Sequence, residues 1–491
     1  MNFLPRFPLA LLLFFLPTVW LWSVPRVWTD IQGRRVKGDF EGLRGDLVVL
    51  RVGGKSYAFP LVRLIASDQA YARSLVAGNP SKSLSGNNLR ATSAWPRWRG
   101  PDGNGVSREM GLLKQWPSGG PPLLWTTNNL GKGYSSVIVI HDRIYTLGLA
   151  SGGTSIFALN RADGKVVWNS LIRGGGEVNG TTAYDSEAGL VYGLTKSGNL
   201  ACVKAADGGP VWQKNFGRDF GGKMMSGWGY SESPLVDGPW LICSPGAPDA
   251  AIVALDKRRG DVIWRAPFPR DMGKKGKDGA GYGSIAMVNI GNSKQYVQMT
   301  GRGLLSVDAS TGKPLWHYNK IANGTANVPT AVVHGDLVFA STGYGDGGSA
   351  LLRISRSGVH EMKYYSANQL QNHHGGMVLL DGHVYGGHGH NKGEPFCLDI
   401  RTGRIVWKVD DNDVRKMGSA AVTCADGHLY FRFQNGTMKL VEATPRGYKE
   451  KGSFQIPNDR KNSWQHPVVA GGKLYLRAQN VLHCYDVSGR G

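Results

Sequence analysis

The sequence predicts an all-β protein, an eight-bladed β-propeller preceded by a small β-barrel domain. Three observations lead there. Glycine is abundant (70 of 491 residues), charged residues make up only 19%, and 15 Trp and 18 Tyr are present. That composition suits short strands joined by tight turns, and the one helix-like stretch is a short piece near Ser67–Val76. An eleven-residue phrase recurs along the chain, and the chain begins one strand early and ends one strand short.

In chain order, Arg6 is followed by an uncharged apolar stretch from Phe7 to Pro25, the layout of a secretory signal. Leu21 and Trp22 before Ser23 leave no small-x-small cleavage site, so residues 1–23 read as a signal peptide or a signal anchor. Export to the periplasm or cell envelope is expected in both cases. Strand-like runs at Arg35–Phe40, Leu47–Val52 and Ser56–Pro60 are parted by Gly-containing turns. They predict a small barrel of about five strands over residues 24–73, with Trp28, Phe40, Val49 and Phe59 as its core. Ser, Asn and Gly then dominate a linker, residues 74–94.

From residue 95 onward the chain is a repeat. The phrase occurs as ALNRADGKVVW (158–168), CVKAADGGPVW (202–212), ALDKRRGDVIW (254–264), SVDASTGKPLW (306–316) and CLDIRTGRIVW (397–407). Each copy opens on a small residue, has Gly seventh and closes on Trp. This describes a hairpin whose turn Gly takes positive φ and whose return strand carries a large aromatic. LRISRSGVHEM (352–362) keeps the Gly and loses the Trp. An aromatic or aliphatic pair on the strand before the hairpin occurs eight times, from Ile144-Tyr145 to Leu474-Tyr475, 42 to 56 residues apart. With the short strand before each pair, every unit holds four strands, the content of a propeller blade. The eighth unit stops at Leu482–Asp486 without a return strand, and Pro122-Leu123-Leu124-Trp125 is a return strand without a hairpin. Pairing the two closes the ring and removes an open edge.

These phrases resemble the tryptophan-docking motif of pyrroloquinoline quinone (PQQ) dehydrogenases and of the outer-membrane assembly lipoprotein BamB. Residues 95–491 are similar throughout to the PQQ-like propellers of planctomycete-type bacteria, including the opening Trp95-Pro96-Arg97-Trp98-Arg99-Gly100-Pro101. The resemblance implies the propeller fold and constrains function little, because propellers host many activities. In the first domain, W-T-D-x-x-G from Trp28, F-P-L-x-x-L from Phe59 and the following Asp68-Gln69 resemble the small Src-homology-like (SH3-like) barrel of endocytic adaptors. In those adaptors the barrel implies peptide binding.

The five Cys (202, 243, 397, 424 and 484) form no C-x-x-C and no adjacent pair, which indicates neither a zinc ribbon nor a disulfide framework. Cys202 and Cys397 hold the small first position of the hairpin phrase and Cys484 its equivalent in the last unit, where a small hydrophobe packs. The net charge is +21, and residues 1–115 hold 16 Lys and Arg against 7 Asp and Glu, +9 of that excess. A basic surface favours anionic partners, and the N-terminal region offers a membrane-surface contact. No Lys/Arg run or nucleic-acid motif points to nucleic acid, and a monomer is expected.

Residues just before each innermost strand should line the axial funnel of such a ring. Tyr134, Tyr230, Glu232, Tyr282, Asn327, His373, His374 and His466 are therefore the candidate ligand-binding residues, combining aromatic faces with directional hydrogen-bonding tips. His373, His374, His383, His388 and His390 lie close in sequence, and His388-Gly389-His390 would set two imidazoles on one strand face. No Cys or carboxylate cluster completes a ligand set, so no metal and no catalytic residue is assigned.

Resemblance to PQQ dehydrogenases implies an axial site in which a disulfide between adjacent Cys covers the quinone, a Trp stacks below, Glu and Asn hold calcium and an Asp acts as base. This chain has no adjacent Cys. The expected function is an exported cell-envelope scaffold that binds protein or glycan without a cofactor. The alternative is a PQQ-type alcohol dehydrogenase, similar to polyvinyl alcohol dehydrogenase, with PQQ and calcium in the funnel. Glu232, Asn327 and His373 would then take metal or base roles. A carbohydrate-active enzyme is disfavoured, since a paired-carboxylate mechanism needs two acids and the funnel shows only Glu232.

Overall fold

The computed structural model describes residues 26–64 except 31, 33, 45 and 46, then 68, 69 and 72, and 94–489 except 458, 460 and 461. The expected signal segment, 1–23, lies outside these residues, as does the linker 74–94 apart from Ala94. Among the described residues no helix is long and apolar enough to cross a membrane. The chain divides into two compact units, 1–89 and 90–491.

The first unit is an antiparallel sheet of four strands in sequence order: Arg26–Thr29, Arg35–Arg44, Leu47–Val52 and Lys55–Pro60. A single bridge between Asp30 and Leu64 stands where a fifth strand was expected. Asp30 builds the first turn. Its Oδ1 accepts from the backbone N–H of Gln32 and Arg34 at 3.0 and 2.9 Å, and Arg34 Nε donates to Oδ2 at 2.7 Å. Asp68 Oδ2 accepts from the Thr29 N–H at 2.6 Å, and Gln69 donates to the Leu64 carbonyl at 2.7 Å. The motif residues of this domain are thus turn and tie residues. Its core is Trp28, Val48, Leu50, Leu61, Leu64 and Ala72, with Phe40 and Phe59 packed against it. Val49 is buried outside this cluster, because successive side chains of a strand take opposite faces.

Among the described residues the second unit contains eight sheets of consecutive antiparallel strands in chain order, spanning 138–171, 183–215, 235–266, 286–318, 332–366, 377–408, 420–455 and 468–486. Within each, strands adjacent in sequence are adjacent in space. The last sheet has three strands of its own. Leu123–Thr127 supplies the fourth, pairing antiparallel with Val481–Asp486, as the surplus and deficit at the two chain ends require.

The hairpin phrase explains the register. In six sheets its small first residue stands directly opposite its Trp: Ala158 and Trp168, Cys202 and Trp212, Ala254 and Trp264, Ser306 and Trp316, Cys397 and Trp407, and Cys484 and Trp125. A bulge adjoins each pair and increases the local twist. The indole then packs on the following sheet. A Cβ added at Gly164, Gly208, Gly260 or Gly312 would fall within 2.9 Å of the ring of Trp125, Trp168, Trp212 or Trp264 respectively. The turn Gly is therefore required both for its φ near +73° and for the space it leaves. All five Cys are free and buried.

Two sheets depart from the phrase. In 332–366, Leu351 faces Lys363. In 420–455, Leu440 faces Gly452, and Trp116 from the segment before the first sheet fills the gap. Its Cβ lies 2.7 Å from where a Gly452 Cβ would stand, and its ring meets Tyr430 and Phe454 at 5.7 and 5.2 Å. The same segment adds Val106–Ser107 as a parallel strand beside Cys424–Ala425.

The core is layered. Eight apolar clusters each span two consecutive sheets, and one of them joins the last sheet to the first through Val139, Phe157, Val468 and Tyr475. Each sheet is buried on both faces by its neighbours. The result is a closed ring, a β-propeller.

Candidate functional site

Two sets of turns meet at one end of the ring: the segments leading into the innermost strands, and the turns joining second to third strands. A relay of hydroxyls fixes the first set. The Ser136 N–H donates to Thr181 Oγ1 at 3.1 Å, Thr181 N–H to Ser233 Oγ at 2.9 Å, Ser233 N–H to Ser284 Oγ at 2.9 Å, and Ser284 N–H to Thr330 Oγ1 at 3.0 Å. Each bond crosses from one sheet to the next, so the backbone just before the first four innermost strands is held by the neighbouring sheet.

These turns enclose a cavity of about 370 Å³. Tyr134, Tyr282, His373, His374 and His466 line it. The other three candidates, Tyr230, Glu232 and Asn327, do not. Tyr230 turns into the apolar layer, with its hydroxyl donating to the Pro245 carbonyl at 2.9 Å and its ring edge-on to Phe216 at 5.0 Å. Glu232 Oε1 accepts from the Ser244 N–H at 2.7 Å, and burial pushes its carboxyl up to about 7. Asn327 Nδ2 donates to the carbonyls of Thr300 and Gly301 at 3.1 and 3.0 Å. The physical reason is alternation along an extended chain: Ser231 lines the cavity between Tyr230 and Glu232, and Ala326 and Val328 line it on both sides of Asn327.

Aromatic rings form a belt around the cavity. His373 lies 3.5 Å from His374 and 4.2 Å from His390, centroid to centroid. Tyr344 abuts His373 and His390 at 4.5 and 4.8 Å, His374 meets Trp464 at 4.8 Å, and Trp464 meets Tyr134 at 4.7 Å. Trp98 stands edge-on to His466 at 4.4 Å. Burial, aided by neighbouring imidazoles, pushes His373 down to about 2 and His374 to about 3. Burial with Arg99 and Arg432 nearby pushes His466 to about 3. All three are neutral at ordinary pH. Among the described residues the charged group in the lining is Arg99, and no Asp or Glu lines the cavity. His388 sits apart from His390, with its Nδ1 accepting from the Gln371 N–H at 3.2 Å. Among the described residues no group of three or more His, Cys, Asp or Glu is placed to hold a metal.

The family described as outer membrane protein assembly factor BamB matches residues 152–409, more than half of the chain. The chain belongs to that family.

As a BamB-family chain it is similar to the tetrathionate hydrolase of Acidithiobacillus ferrooxidans, 27% identical over 257 residues, which is 49% of this chain and 47% of the relative. The chain thus matches about half the length of that curated relative. Among solved structures it is similar to BamB from Moraxella catarrhalis, with a TM-score of 0.53 and 14% identity, covering 74% of this chain and 97% of that one. It is also similar to the quinohemoprotein alcohol dehydrogenase ADHIIG of Pseudomonas putida HK5, with a TM-score of 0.59 and 13% identity over 83% of each chain. At these identities the structural likenesses show the fold.

The BamB-family match contains His373, His374, His390 and Tyr344, while Tyr134, Trp464, His466, Trp98 and Arg99 lie outside it. Tyr344, Asn391 and Gln434, which the sequence did not single out, sit with His390 on turns between second and third strands. Strand alternation was the signal for these, since an antiparallel second strand returns the chain to the end where the first began. Nothing comparable marked Arg99, which arrives from outside the repeat.

Proposed function

We propose that this propeller is a non-catalytic binding protein of the cell envelope, exported and carrying a small polar ligand, a glycan segment before a peptide, in its axial cavity. We further propose eight blades, one per sheet. One observation carries the functional reading: the lining combines indole, phenol, imidazole and amide groups and contains no carboxylate. Aromatic faces and amide tips suit sugar rings and hydroxyls, and about 370 Å³ falls within the range of small-ligand pockets. General acid–base chemistry needs groups that exchange protons near the working pH, and the buried histidines stay neutral.

The PQQ–calcium alternative does not fit these residues. Calcium takes six to eight oxygen ligands, carboxylates foremost. Glu232 and Asn327, the residues such a site would draw on, are committed to backbone groups outside the cavity. The relative named tetrathionate hydrolase matches only half of this chain and supports no transfer of its activity.

Binding by the full chain can be screened with glycans and short peptides by titration calorimetry, with PQQ plus calcium as a parallel arm. A glycan is expected to bind and to lose at least about tenfold in affinity in the Tyr134→Ala/Trp464→Ala double variant. Undiminished binding in that variant would place the site elsewhere. Stoichiometric retention of quinone through gel filtration would replace this reading with the oxidoreductase one.

A further inference from the structure

Among the described residues three arginines are buried in the propeller, and they differ in what they touch. Arg477 uses every N–H it has. Nε donates to the Gln479 carbonyl at 2.9 Å, Nη2 to the carbonyls of Leu130 and Gly131 at 3.0 and 2.9 Å, and Nη1 to Thr146 Oγ1 and the Leu147 carbonyl. Arg432 bonds Ser463 Oγ at 2.6 Å and the Gln465 carbonyl at 3.1 Å, and pairs with Asp459 at 2.7 Å. These two guanidiniums are structural.

Arg99 is not so used. Its Nη2 donates to the Asn104 carbonyl at 2.9 Å and to the Met377 carbonyl. Neither Nε nor Nη1 has a hydrogen-bond partner among the described residues. About three of the five N–H donors of a guanidinium are therefore unspent. Among the described residues no carboxylate pairs with it, although it is only 6% exposed. Burial draws it down to about 10, which leaves it charged at neutral pH. An uncompensated buried charge is costly, so an arrangement that keeps one ready is best explained by a counter-charge from outside.

The position is open to such a group. Nη1 lies 3.3 Å from where a Cβ on Gly376 would stand, and His466 Cε1 lies 3.2 Å from the same point. All three residues line the cavity, and a side chain at Gly376 would crowd Nη1. Two more buried ring nitrogens in the lining, Trp98 Nε1 and His373 Nε2, also lack partners.

We propose that the ligand is an anionic saccharide, a uronic acid or a sulfate ester, whose anion sits on Arg99 while its ring stacks in the belt of Trp464, Tyr134 and the histidines. This deepens the binding role proposed above and rests on it. A guanidinium fork matches the paired oxygens of a carboxylate or sulfate. The acid-free lining removes the repulsion that would otherwise exclude an anion.

The test titrates the full chain with a hexuronate oligosaccharide, its methyl ester, a sulfated oligosaccharide and a neutral glucan of equal length. The hexuronate or the sulfated sugar is expected to bind at least about tenfold more tightly than the ester and the glucan. Which of the two does so identifies the anion. Arg99→Gln should bring that sugar to the glucan's affinity. The methyl ester keeps the test valid if Arg99→Gln does not fold, because it removes the charge from the ligand instead. Equal affinity of hexuronate and ester, with no preference for sulfate, would overturn the inference while leaving a sugar site. Absence of binding by all four sugars would overturn the glycan reading on which this inference rests.

Discussion

Glu232 shows how a residue beside a cavity can belong wholly to the fold. Its carboxyl is enclosed, one oxygen holds the Ser244 N–H, and the other has no hydrogen-bond partner. Desolvation comes first among the causes that carry its pKa up to about 7, against an ordinary 4.5. A raised acid binds its proton more tightly in the folded state. Its contribution to stability is therefore fully present below pH 4.5 and is lost as pH climbs from 4.5 through about 7. Glu232→Gln should remove that slope. Relative to the native chain, the variant should gain about 1–3 kcal/mol between pH 4.5 and pH 8. Urea unfolding at several pH values checks this, and parallel profiles for the two proteins would contradict it. The alternation that hides Tyr230, Glu232 and Asn327 is a local property of extended chain. Choosing which parity faces the axis needed the neighbouring sheet, and the sequence alone offered both.

At the scale of elements, the unit of construction is a hairpin plus the indole that leaves it. A small residue opposite Trp gives the ring room to turn, and the next turn's Gly receives it. The phrase made six of the eight sheets legible in advance, including Trp125 contributed from the far end of the chain. In the seventh sheet Gly452 stands at the Trp position, and Trp116 enters from more than 300 residues away to occupy the space. No repeat pattern marks such a residue, because its partner is set by where the closing segment runs. Trp116→Ala should cost about 3–5 kcal/mol, as for other buried large aromatics reduced to Ala. Trp228→Ala, on an exposed turn, should cost far less. Thermal unfolding of the two variants compares them directly, and equal losses would deny Trp116 its filling role.

For the whole molecule, the segment before the first sheet does four jobs. It closes the last sheet, supplies Trp116, adds a strand beside Cys424–Ala425 and delivers Arg99 to the cavity. Deleting residues 95–127 should uncover the edge of Val481–Asp486 and break the apolar layer between last and first sheets. Exposed edges pair with other chains, so aggregation is the expected outcome, together with loss of the cooperative melt. Light scattering and calorimetry would detect both. A truncated chain that stays monomeric and melts unchanged would show that the ring closes by other means.

By itself the sequence determined the all-β class, the four-strand unit, its repetition and the pairing of the two chain ends. Each of these is written in short-range periodicity or in simple counting of strands. It also placed five of eight proposed lining residues at the cavity, because a segment that precedes an innermost strand is bound to reach the axis region. Only the tertiary structure decided which side chains face inward, which turn residues join them, and that an unpaired guanidinium stands among neutral imidazoles. Those outcomes depend on contacts between residues hundreds of positions apart. Ring closure creates these contacts, and no local pattern encodes them.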